Sequence, residues 1–586
     1  MALHPENVHV LQHQWMHDDL STITNAYPDH EDIQGPAGHN VPEVMTNFVP
    51  RTKLITSEDQ MMPILAHAAR GQGTVVRHVD WIEAGLLTQD TLGRFAYAEH
   101  PFNVALVLAM ADELGIDRDF ALKEMADHVV PDIGALKLYP RASIDGRTLE
   151  FASGMSANER KASVENWTRL QFDRQDPYRQ PGVWVSTLVN NRSDRIPRSQ
   201  QFAQVIVNDM LADRHFLIGD NLTGLVGYIR DAWTAMVAKV SLWGSDREGG
   251  GGEPGQVLRQ QAVRQRIALE PAHLRARLEV MLSGLDASGR LAALADLWAD
   301  PDALARRLVR VAAEPGGMDQ AVASVVAHAA EGLTTLEEYQ GLVRAVAEAG
   351  PAERGRTERE FKSLLWKWFS RKLVLVEDYH IKGDRLTRII ASHTPPGFLN
   401  RIMGVQNIKG PGLDFVYRWQ AWDACRAACN RLRTQDPDEI AQGLSQLDEF
   451  TEFGILSEEY VLETIRGLRE RPVARSEKIQ TALDNLSRRH ELAMKTVRHS
   501  LDKTERLGAL AWIVSGVESL LETGDTIRRR KAADQIYEDL VHLRIGQARA
   551  VAELQALNKR QHGGWLLKRL RDLLGRLNLS RVDPGG

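Results

Sequence analysis

The segment from residue 25 to residue 35 concentrates side chains that could take part in binding or catalysis. It reads Asn-Ala-Tyr-Pro-Asp-His-Glu-Asp-Ile-Gln-Gly, with three carboxylates and one imidazole in four consecutive positions. Residues 20–24 before it form a β-branched run that predicts a short strand, and Pro28 ends that strand because proline has no N–H to donate. Loops at strand ends are where a rigid scaffold presents chemical groups. A polar turn explains the same residues equally well.

A second candidate is cationic. Arg192, Arg195 and Arg198 place three guanidinium groups within seven residues, directly after an apolar run at 182–189 that predicts a buried strand. The planar guanidinium group suits carboxylate or phosphate ligands. The alternative is a solvated loop in which Asp194 pairs with Arg198 across one helical turn.

A third candidate is the segment 158–163 (Asn-Glu-Arg-Lys-Ala-Ser), which leads from a predicted strand at 149–152 into a predicted helix at 159–170. In open α/β sheets ligands bind at this kind of strand–loop–helix junction. Asn158 could equally serve only as the N-cap of the helix.

Histidine and cysteine patterns give weaker signals. His9, His13 and His17 share one face of a predicted helix, and two histidines one turn apart can chelate zinc or nickel. No downstream residue has a spacing that completes the ligand set, so a solvated polar face is the favoured interpretation. Cys425 and Cys429, the two cysteines of the chain, are interpreted as reduced thiols.

The elements that would position these residues alternate between strand and helix up to about residue 240. Predicted strands lie at 20–24, 51–56, 74–79, 149–152, 182–189 and 215–218, and predicted helices at 5–15, 41–48, 59–69, 102–114, 159–170, 199–211 and 224–240. This rhythm is typical of α/β domains with a mostly parallel sheet.

After residue 243 the composition changes. The glycine-rich stretch 244–255 predicts a linker, and beyond it the apolar spacing of three to four predicts helices throughout 257–586, apart from a β-branched run at 373–376. Glycines and prolines between 383 and 412 predict a break between two helical parts. We therefore expect five parts: 1–135, 136–243, the linker 244–256, a helical domain 257–390 and a second helical region 391–586.

Two segments of the helical half stand out. Residues 403–419 join a Gly/Pro loop containing Lys409 to an aromatic helix start, which could be a docking or ligand loop. A helix–helix connection with an aromatic core anchor is the favoured interpretation. Residues 565–579 predict a basic amphipathic helix, which could lie on an anionic membrane or pack on a partner helix.

Composition narrows the functional classes. The chain has 586 residues and a net charge of −6, which argues against a general nucleic-acid binder. The amino-terminal residues have no secretory signal pattern, and no apolar run is long enough to span a membrane. The chain also contains no Gly-Lys pair, so the usual P-loop motif for binding phosphates is absent from residues 1–586.

Taken in order, these segments resemble a known family. The pattern Asn25-x-x-x-Asp29-His30-x-Asp32-x-x-Gly35 resembles a signature of the Mur-ligase superfamily. Residues 99–103 (Glu-His-Pro-Phe-Asn) resemble its nucleotide motif, and residues 158–163 resemble its Asn-Asp-Ser-Lys-Ala-Thr motif. Residues 190–202 are similar to a pattern of the capsule-type poly-γ-glutamate synthases, and residues 217–220 also fit. The resemblance covers about residues 1–235.

The resemblance implies ATP-dependent amide ligation. ATP and Mg²⁺ would convert the carboxylate of a growing γ-glutamyl chain to an acyl phosphate, which the amine of the next glutamate attacks. It also implies roles for nine residues: His30 and Lys161 in catalysis, Asp29 and His30 at the metal, Asn25, Asn103 and Glu159 at the nucleotide, and Arg192, Arg195 and Arg198 at the polyanionic substrate. Whether His30 contacts the metal, a bound water or a phosphate stays open, because imidazole is an uncommon partner of so hard a cation.

The implied fold is an incomplete Mur-ligase-like central domain, then a Rossmann-like C-terminal ligase domain, then an all-α half. The family carries a P-loop and a metal-binding glutamate ahead of the region where this sequence starts. Lys137 stands where the family has arginine, and Glu159 where it has aspartate. Because positioning of the phosphates is most of the catalysis in phosphoryl transfer, we expect little or no ligase activity from this chain alone.

The expected partners follow from the same resemblance. They are poly-γ-glutamate or glutamate, membrane subunits of a polymer synthase, and a source of the P-loop, either upstream or in a separate polypeptide; nucleic acid is not expected. The expected location is cytoplasmic, with peripheral attachment to the inner face of the cell membrane. The alternative is a non-catalytic scaffold in which a degenerate ligase core carries a helical interaction module.

Overall fold

The computed structural model describes residues 5–26, 40–129, 132–243, 253–283, 320–449 and 456–486, together with Arg549. Two compact units divide the chain. Unit 1 comprises residues 1–138 and 152–169, and unit 2 comprises residues 139–151 and 170–586. None of the helices in the described ranges is long and apolar enough to cross a membrane.

Unit 1 contains a parallel sheet of three strands in the order β1 (Leu20–Ile23), β2 (Lys53–Thr56) and β3 (Val75–His78). Leu54 and Ile55 in the central strand are fully buried. Parallel strands between helical layers are apolar on both faces, which explains why short β-branched runs form them here. The predicted strands at 20–24, 51–56 and 74–79 are confirmed.

Helices cover this sheet. The described helices of unit 1 are α1 (Pro5–Val10), α2 (Asn40–Met45), α3 (Met62–Gln72), α4 (Trp81–Gly85), α5 (Gln89–Leu92), α6 (Pro101–Glu113), α7 (Arg118–His128) and α8 (Arg160–Arg169). Helix α6 has Pro101 in its first turn, where the missing N–H has no helical partner to lose. Its residues Ala105 and Ala109 pack with Ile55 in one core cluster.

A seven-stranded sheet has the order β4-β6-β10-β7-β8-β9, with β5 paired to β6. Its strands are β4 (Lys137–Leu138), β5 (Ala142–Ile144), β6 (Arg147–Ser153), β7 (Val183–Asn191), β8 (Arg214–Gly219), β9 (Leu373–Leu375) and β10 (Leu399–Val405). Strands β10, β7, β8 and β9 run parallel to one another. The predicted strands near 149–152, 182–189 and 215–218 are confirmed, and the β-branched run at 373–376 contains β9.

The prediction that residues 257–586 are all-helical is wrong at strand β9 and again at strand β10. Strand β10 lies between β6 and β7, within the segment 383–412 that was expected to be only a break between helical parts. Residues 402–405 are buried, so this strand shows no clear alternation of apolar and polar side chains. The flanking prolines and glycines concealed it further. The interpretation of 403–419 as a helix–helix connection is therefore wrong, because its first residues belong to a central strand.

The described helices of unit 2 are α9 (Ile196–Asn208), α10 (Leu222–Val237), α11 (Pro254–Arg264), α12 (Pro271–Ser283), α13 (Gln320–Glu348), α14 (Arg354–Ser370), α15 (Gly383–Ser392), α16 (Pro411–Leu432), α17 (Pro437–Glu449) and α18 (Glu458–Arg469). Helix α16 packs Phe415 and Trp419 against Phe151 of β6, so its aromatic start is a core anchor as expected. Most of the linker (244–252) and the basic segment 565–579 lie outside the described residues.

Candidate functional site

Most of the acidic segment 25–35 lies outside the described residues. Asp29 and His30 fall in the segment 27–39, so their placement stays a prediction. Asn25 lies two residues after the end of β1 and is exposed. Its position at the carboxyl end of a parallel strand is the one that α/β proteins use for ligands.

Glu58 is a residue that sequence reasoning missed. Its side chain is buried beside the carboxyl ends of β1 and β2, with only 3% of its surface exposed. One carboxylate oxygen accepts the backbone N–H of Ala26 at 2.5 Å, and the other accepts that of Met61 at 2.9 Å. Glu58 thus fixes the chain just where it enters the acidic segment. The available signal was a carboxylate two residues past the predicted strand 51–56.

The expected nucleotide residue Asn103 lies at the start of α6. Its side chain donates to Glu99 Oε1 at 2.9 Å, and the same oxygen accepts the backbone N–H of His100 at 2.7 Å. Burial lowers the pKa of His100 and Arg169 adds to this, while Glu99 opposes it. A neutral His100 agrees with its Nδ1 accepting the backbone N–H of Phe102 as the cap of α6.

Glu159 and Lys161 lie at the start of α8. Both carboxylate oxygens of Glu159 accept backbone N–H groups, one from Lys161 at 2.7 Å and one from Ala162. Glu159 therefore caps this helix, a role that the sequence had offered as an alternative for Asn158. At the other end of α8, Arg169 donates to the carbonyl oxygens of Ala98 at 3.1 Å and Glu99 at 2.5 Å. The helix that carries Glu159 and Lys161 is thereby joined to the Glu99–Asn103 motif.

In unit 2 the three arginines follow β7. Arg192 forms a two-pronged ion pair with Asp194, with nitrogen–oxygen distances of 2.9 and 2.5 Å. The expected alternative, a pair between Asp194 and Arg198, is not the one that the structure describes. Arg198 instead donates to Asn407 Oδ1 at 2.8 Å. Arg195 stands at the N-cap position of α9 and is partly buried.

The carboxyl ends of β7 and β10 meet in a buried amide network. Asn190 Nδ2 donates to the carbonyl oxygens of Asn407 at 2.9 Å and Lys409 at 2.7 Å, and Asn407 Nδ2 donates back to the carbonyl of Asn190 at 3.1 Å. Helix α9 follows β7 toward β8, while β10 lies on the other side of β7 and continues into α16. Adjacent strands that lead away from each other create the crevice in which open α/β sheets bind ligands.

Asn191 extends the network to β8. Its Oδ1 accepts from Gln406 Nε2 at 2.8 Å and from Ser199 Oγ at 2.7 Å, and its Nδ2 donates to the carbonyl of Asp220 at 2.7 Å. Gln406 is fully buried with φ at 84°, which few non-glycine residues adopt, and its Oε1 has no hydrogen-bond partner among the described residues. Unusual backbone angles of this kind concentrate at ligand sites.

Glycines make this close approach of strands and loops possible. A Cβ on Gly219 would lie 2.2 Å from the carbonyl oxygen of Asn191, and one on Gly412 would lie 2.4 Å from Asn190 Nδ2. Helices α9 and α16 both begin at this edge, and the positive ends of helix dipoles favour anions. With Arg192, Arg195 and the exposed Lys409 nearby in the chain, this edge of unit 2 suits an anionic ligand.

Among the described residues, His9, His13 and His17 are not joined by further side chains that would complete a metal site. The rings of His9 and His13 lie 4.7 Å apart, but α1 gives way to a π-helical turn at Leu11–Met16. The described residues contain no group of three or more histidine, cysteine or carboxylate side chains placed to hold a metal ion.

Comparisons with known proteins agree with the sequence resemblance. The family model described as the poly-gamma-glutamate synthase CapB C-terminal domain matches residues 138–308. PGA synthase CapB of Bacillus subtilis (strain 168) is 27% identical over 230 residues, which cover 39% of this chain and 55% of that protein. Capsule biosynthesis protein CapB of Bacillus anthracis is 27% identical over 221 residues, covering 38% and 46%. The chain thus spans about half the length of these curated relatives. No solved structure matches it.

Proposed function

We propose that the chain is a poly-γ-glutamate synthase-like amide ligase of capsule or exopolymer formation, because residues 138–308 match the family model and about 230 residues are similar to PGA synthase CapB. The observation that carries this proposal is the network at the carboxyl ends of β7 and β10, with Arg192 and Arg195 directly after β7.

The cationic loop suits a γ-linked glutamate chain. Each γ-linked residue keeps a free α-carboxylate, so the polymer presents anions at regular intervals. Arg192 and Arg195 bind the carboxylates nearest the growing end, and guanidinium groups recognise carboxylates in a planar two-pronged geometry. Arg198 is held by Asn407 and positions the loop. Because Asp194 already occupies Arg192, the substrate must compete with an exposed ion pair, which costs about 1 kcal/mol or less.

Unit 1 would hold ATP and Mg²⁺, and the ATP would supply the phosphoryl group that activates the carboxylate. The described residues fit this in part. Asn25 is exposed at the end of β1, and Asn103 and Glu99 present amide and carboxylate groups at the start of α6. Glu58 does not fit as a metal ligand, because both of its oxygens accept backbone N–H groups. As the resemblance implies, we propose that Asp29 and His30 would hold the metal and that Lys161 would face the phosphate.

Binding of γ-glutamyl oligomers tests the proposal without requiring a P-loop. We would titrate the full chain with a fluorescent γ-linked glutamate oligomer and with its α-linked isomer, and compare Arg192→Gln and Arg195→Gln with the unaltered chain. Arg179→Gln is the matched control, since the Arg179 side chain is 89% exposed and lies before β7. We expect each site variant to weaken binding about tenfold, the loss of one charge-assisted contact.

Three outcomes would count against the proposal: no binding of the γ-linked oligomer, equal binding of the α-linked isomer, or equal weakening by Arg179→Gln. Turnover is a separate measurement. We propose that the P-loop is supplied by polypeptide outside residues 1–586, so single-turnover formation of ADP from ATP by this chain alone should be negligible. Robust ADP formation would contradict that part and leave the binding result standing.

A scaffold function has one observation in its favour. The oxygens of Glu159 both serve the α8 backbone, which leaves this residue engaged in capping rather than open to a ribose. A scaffold would bind neither oligomer, so the same titration separates the two functions. Membrane docking by residues 565–579 is a further proposal, tested by liposome co-sedimentation with and without residues 562–586.

A further inference from the structure

A cavity of about 80 Å³ lies at the opposite edge of the seven-stranded sheet, where the parallel strands begin. Trp184 at the start of β7, Arg214 at the start of β8, Lys372 just before β9 and Phe398 just before β10 all line it. Helices α12, α13 and α14 enclose it from the side of the helical half. It is separate from the amide network, which lies at the other ends of the same strands.

The cavity is rich in positive charge. Its lining contains five basic side chains and two acidic ones among the described residues. Both acidic groups are engaged: Asp213 Oδ2 lies 3.0 Å from Arg266 and accepts the backbone N–H of Val185 at 2.9 Å, and Glu331 accepts from Arg214 at 2.5 Å. A surplus of cations therefore remains.

Arg277 and Lys372 make up this surplus. Arg277 donates to the carbonyl oxygen of Arg266 at 3.2 Å, and Lys372 Nζ donates to the carbonyl of Ala212 at 3.0 Å. Within the described ranges neither cation lies within 4.0 Å of a carboxylate oxygen. The other basic lining residue, Arg371, is paired outside the cavity with Glu338 at 3.1 Å. Buried cations are normally paired, because removing them from water is costly.

Two further features of the cavity favour an anionic ligand. Burial, with Arg266, Arg214 and Arg277 nearby, lowers the pKa of Lys372 to about 7, and Asp213 opposes this shift. Trp184 is only 7% exposed, and its Nε1–H has no hydrogen-bond partner among the described residues. Indole can only donate, and buried donors nearly always have an acceptor. The cavity thus presents an unused donor beside unpaired cations.

The size of the cavity limits what can enter. One water molecule occupies roughly 10–15 Å³ of cavity volume, so a cavity of about 80 Å³ can hold several water molecules. This volume is enough for one phosphate or carboxylate group but not for a nucleotide. We propose that this cavity binds a small oxyanion, phosphate or a carboxylate such as that of free glutamate, through Arg277, Lys372 and the indole N–H of Trp184. The inference does not rest on the ligase proposal, because binding is measured directly.

Calorimetric titration of the full chain with inorganic phosphate, and separately with glutamate, tests this and distinguishes the two sources. Arg277→Gln and Lys372→Met should each weaken binding about tenfold or more, the loss of one charge-assisted contact. Arg275→Gln is the matched control, because Arg275 lies on the same helix α12 with its side chain 59% exposed and paired with Glu279. That variant should bind the anion as the unaltered chain does.

Proton uptake provides a second readout. At about pH 8 the Lys372 ammonium is mostly deprotonated in the anion-free protein, so an anion beside it should draw in a proton, seen as a dependence of the heat on buffer ionisation. Binding of neither anion to the unaltered chain, equal affinities in all variants, or binding without proton uptake would each overturn the proposal. The measurements on the unaltered chain decide even where a variant fails to fold.

Discussion

Replacing Gly412 by alanine tests the amide network most directly. The added Cβ would lie 2.4 Å from Asn190 Nδ2 and 3.1 Å from the carbonyl oxygen of Asn407, and distances under 3.0 Å are not tolerated. Asn190 is only 1% exposed, so its amide cannot move into solvent. Its two hydrogen bonds, at 2.9 and 2.7 Å, must therefore lengthen or break.

The expected cost follows from those two bonds. Each is worth about 1 kcal/mol net, and a buried amide left without acceptors costs about 1–3 kcal/mol more, so Gly412→Ala should lower the free energy of unfolding of unit 2 by about 3–5 kcal/mol. Urea denaturation measures this. Gly341→Ala in α13 is the matched control, because nothing lies within 4 Å of its added Cβ. That change should stabilise by about 0.5–1 kcal/mol, the usual gain from alanine over glycine inside a helix.

A double-mutant cycle identifies the clash itself. Asn190→Ala removes the group that the new methyl strikes, so the double variant should be less destabilised than the two single changes predict together. If Gly412→Ala unfolds at the same urea concentration as the unaltered chain, or if the two changes add, the contact between α16 and β7 is not what holds this edge.

Three other predictions follow from buried groups. Glu58→Gln presents an amide donor to one of two backbone N–H groups and should destabilise unit 1 by about 1–3 kcal/mol, measured by urea denaturation; unchanged stability would contradict the anchor role. In phosphate-free buffer, the stability of the unaltered chain relative to Lys372→Met should rise between pH 7 and 10.5. The pKa of Lys372 is about 7 in the folded chain and 10.5 in the unfolded chain, so the unfolded state binds more protons in that window. A difference in urea midpoints that does not change with pH would refute this prediction. Cys425 and Cys429 are buried, and burial raises the pKa of Cys425 to about 12. A thiol reagent should therefore label these cysteines only after unfolding. Rapid labelling of the native chain would be inconsistent with their buried position in α16.

Short apolar runs in the sequence predicted the strands that can be recognised from neighbouring residues alone. Strands β1, β2, β7 and β8 are short apolar runs bounded by proline, glycine or polar residues, and each appears within about two residues of its predicted range. Strand β10 escaped prediction because its place depends on distant partners. Arg401 in its middle is paired with Glu150 at 2.6 Å, a residue 251 positions earlier that no sequence window includes.

The same limit applies to the site. The residue types of Arg192, Arg195 and Arg198 suit an anionic ligand, which is why they could be proposed from the sequence beside the alternative of a solvated loop. Asn190 donates to the carbonyl oxygen of Asn407, which lies 217 residues away in the sequence. The local sequence around Asn190 therefore could not predict its place in the amide network. Glu159 shows the reverse case: its position suggested a ribose contact, and its local geometry makes it a helix cap.

The late position of β10 in the chain has a consequence for how unit 2 assembles. Strand β7 acquires its second neighbour only when residues 399–405 are available, more than 200 residues after β7 itself. Pairing across such a separation is slow, and an apolar strand with an open edge invites intermolecular association in the meantime. A fragment that stops at residue 308, where the family match ends, would keep that edge open permanently. The residues after 308 that form β9 and β10 are thus needed to complete the seven-stranded sheet.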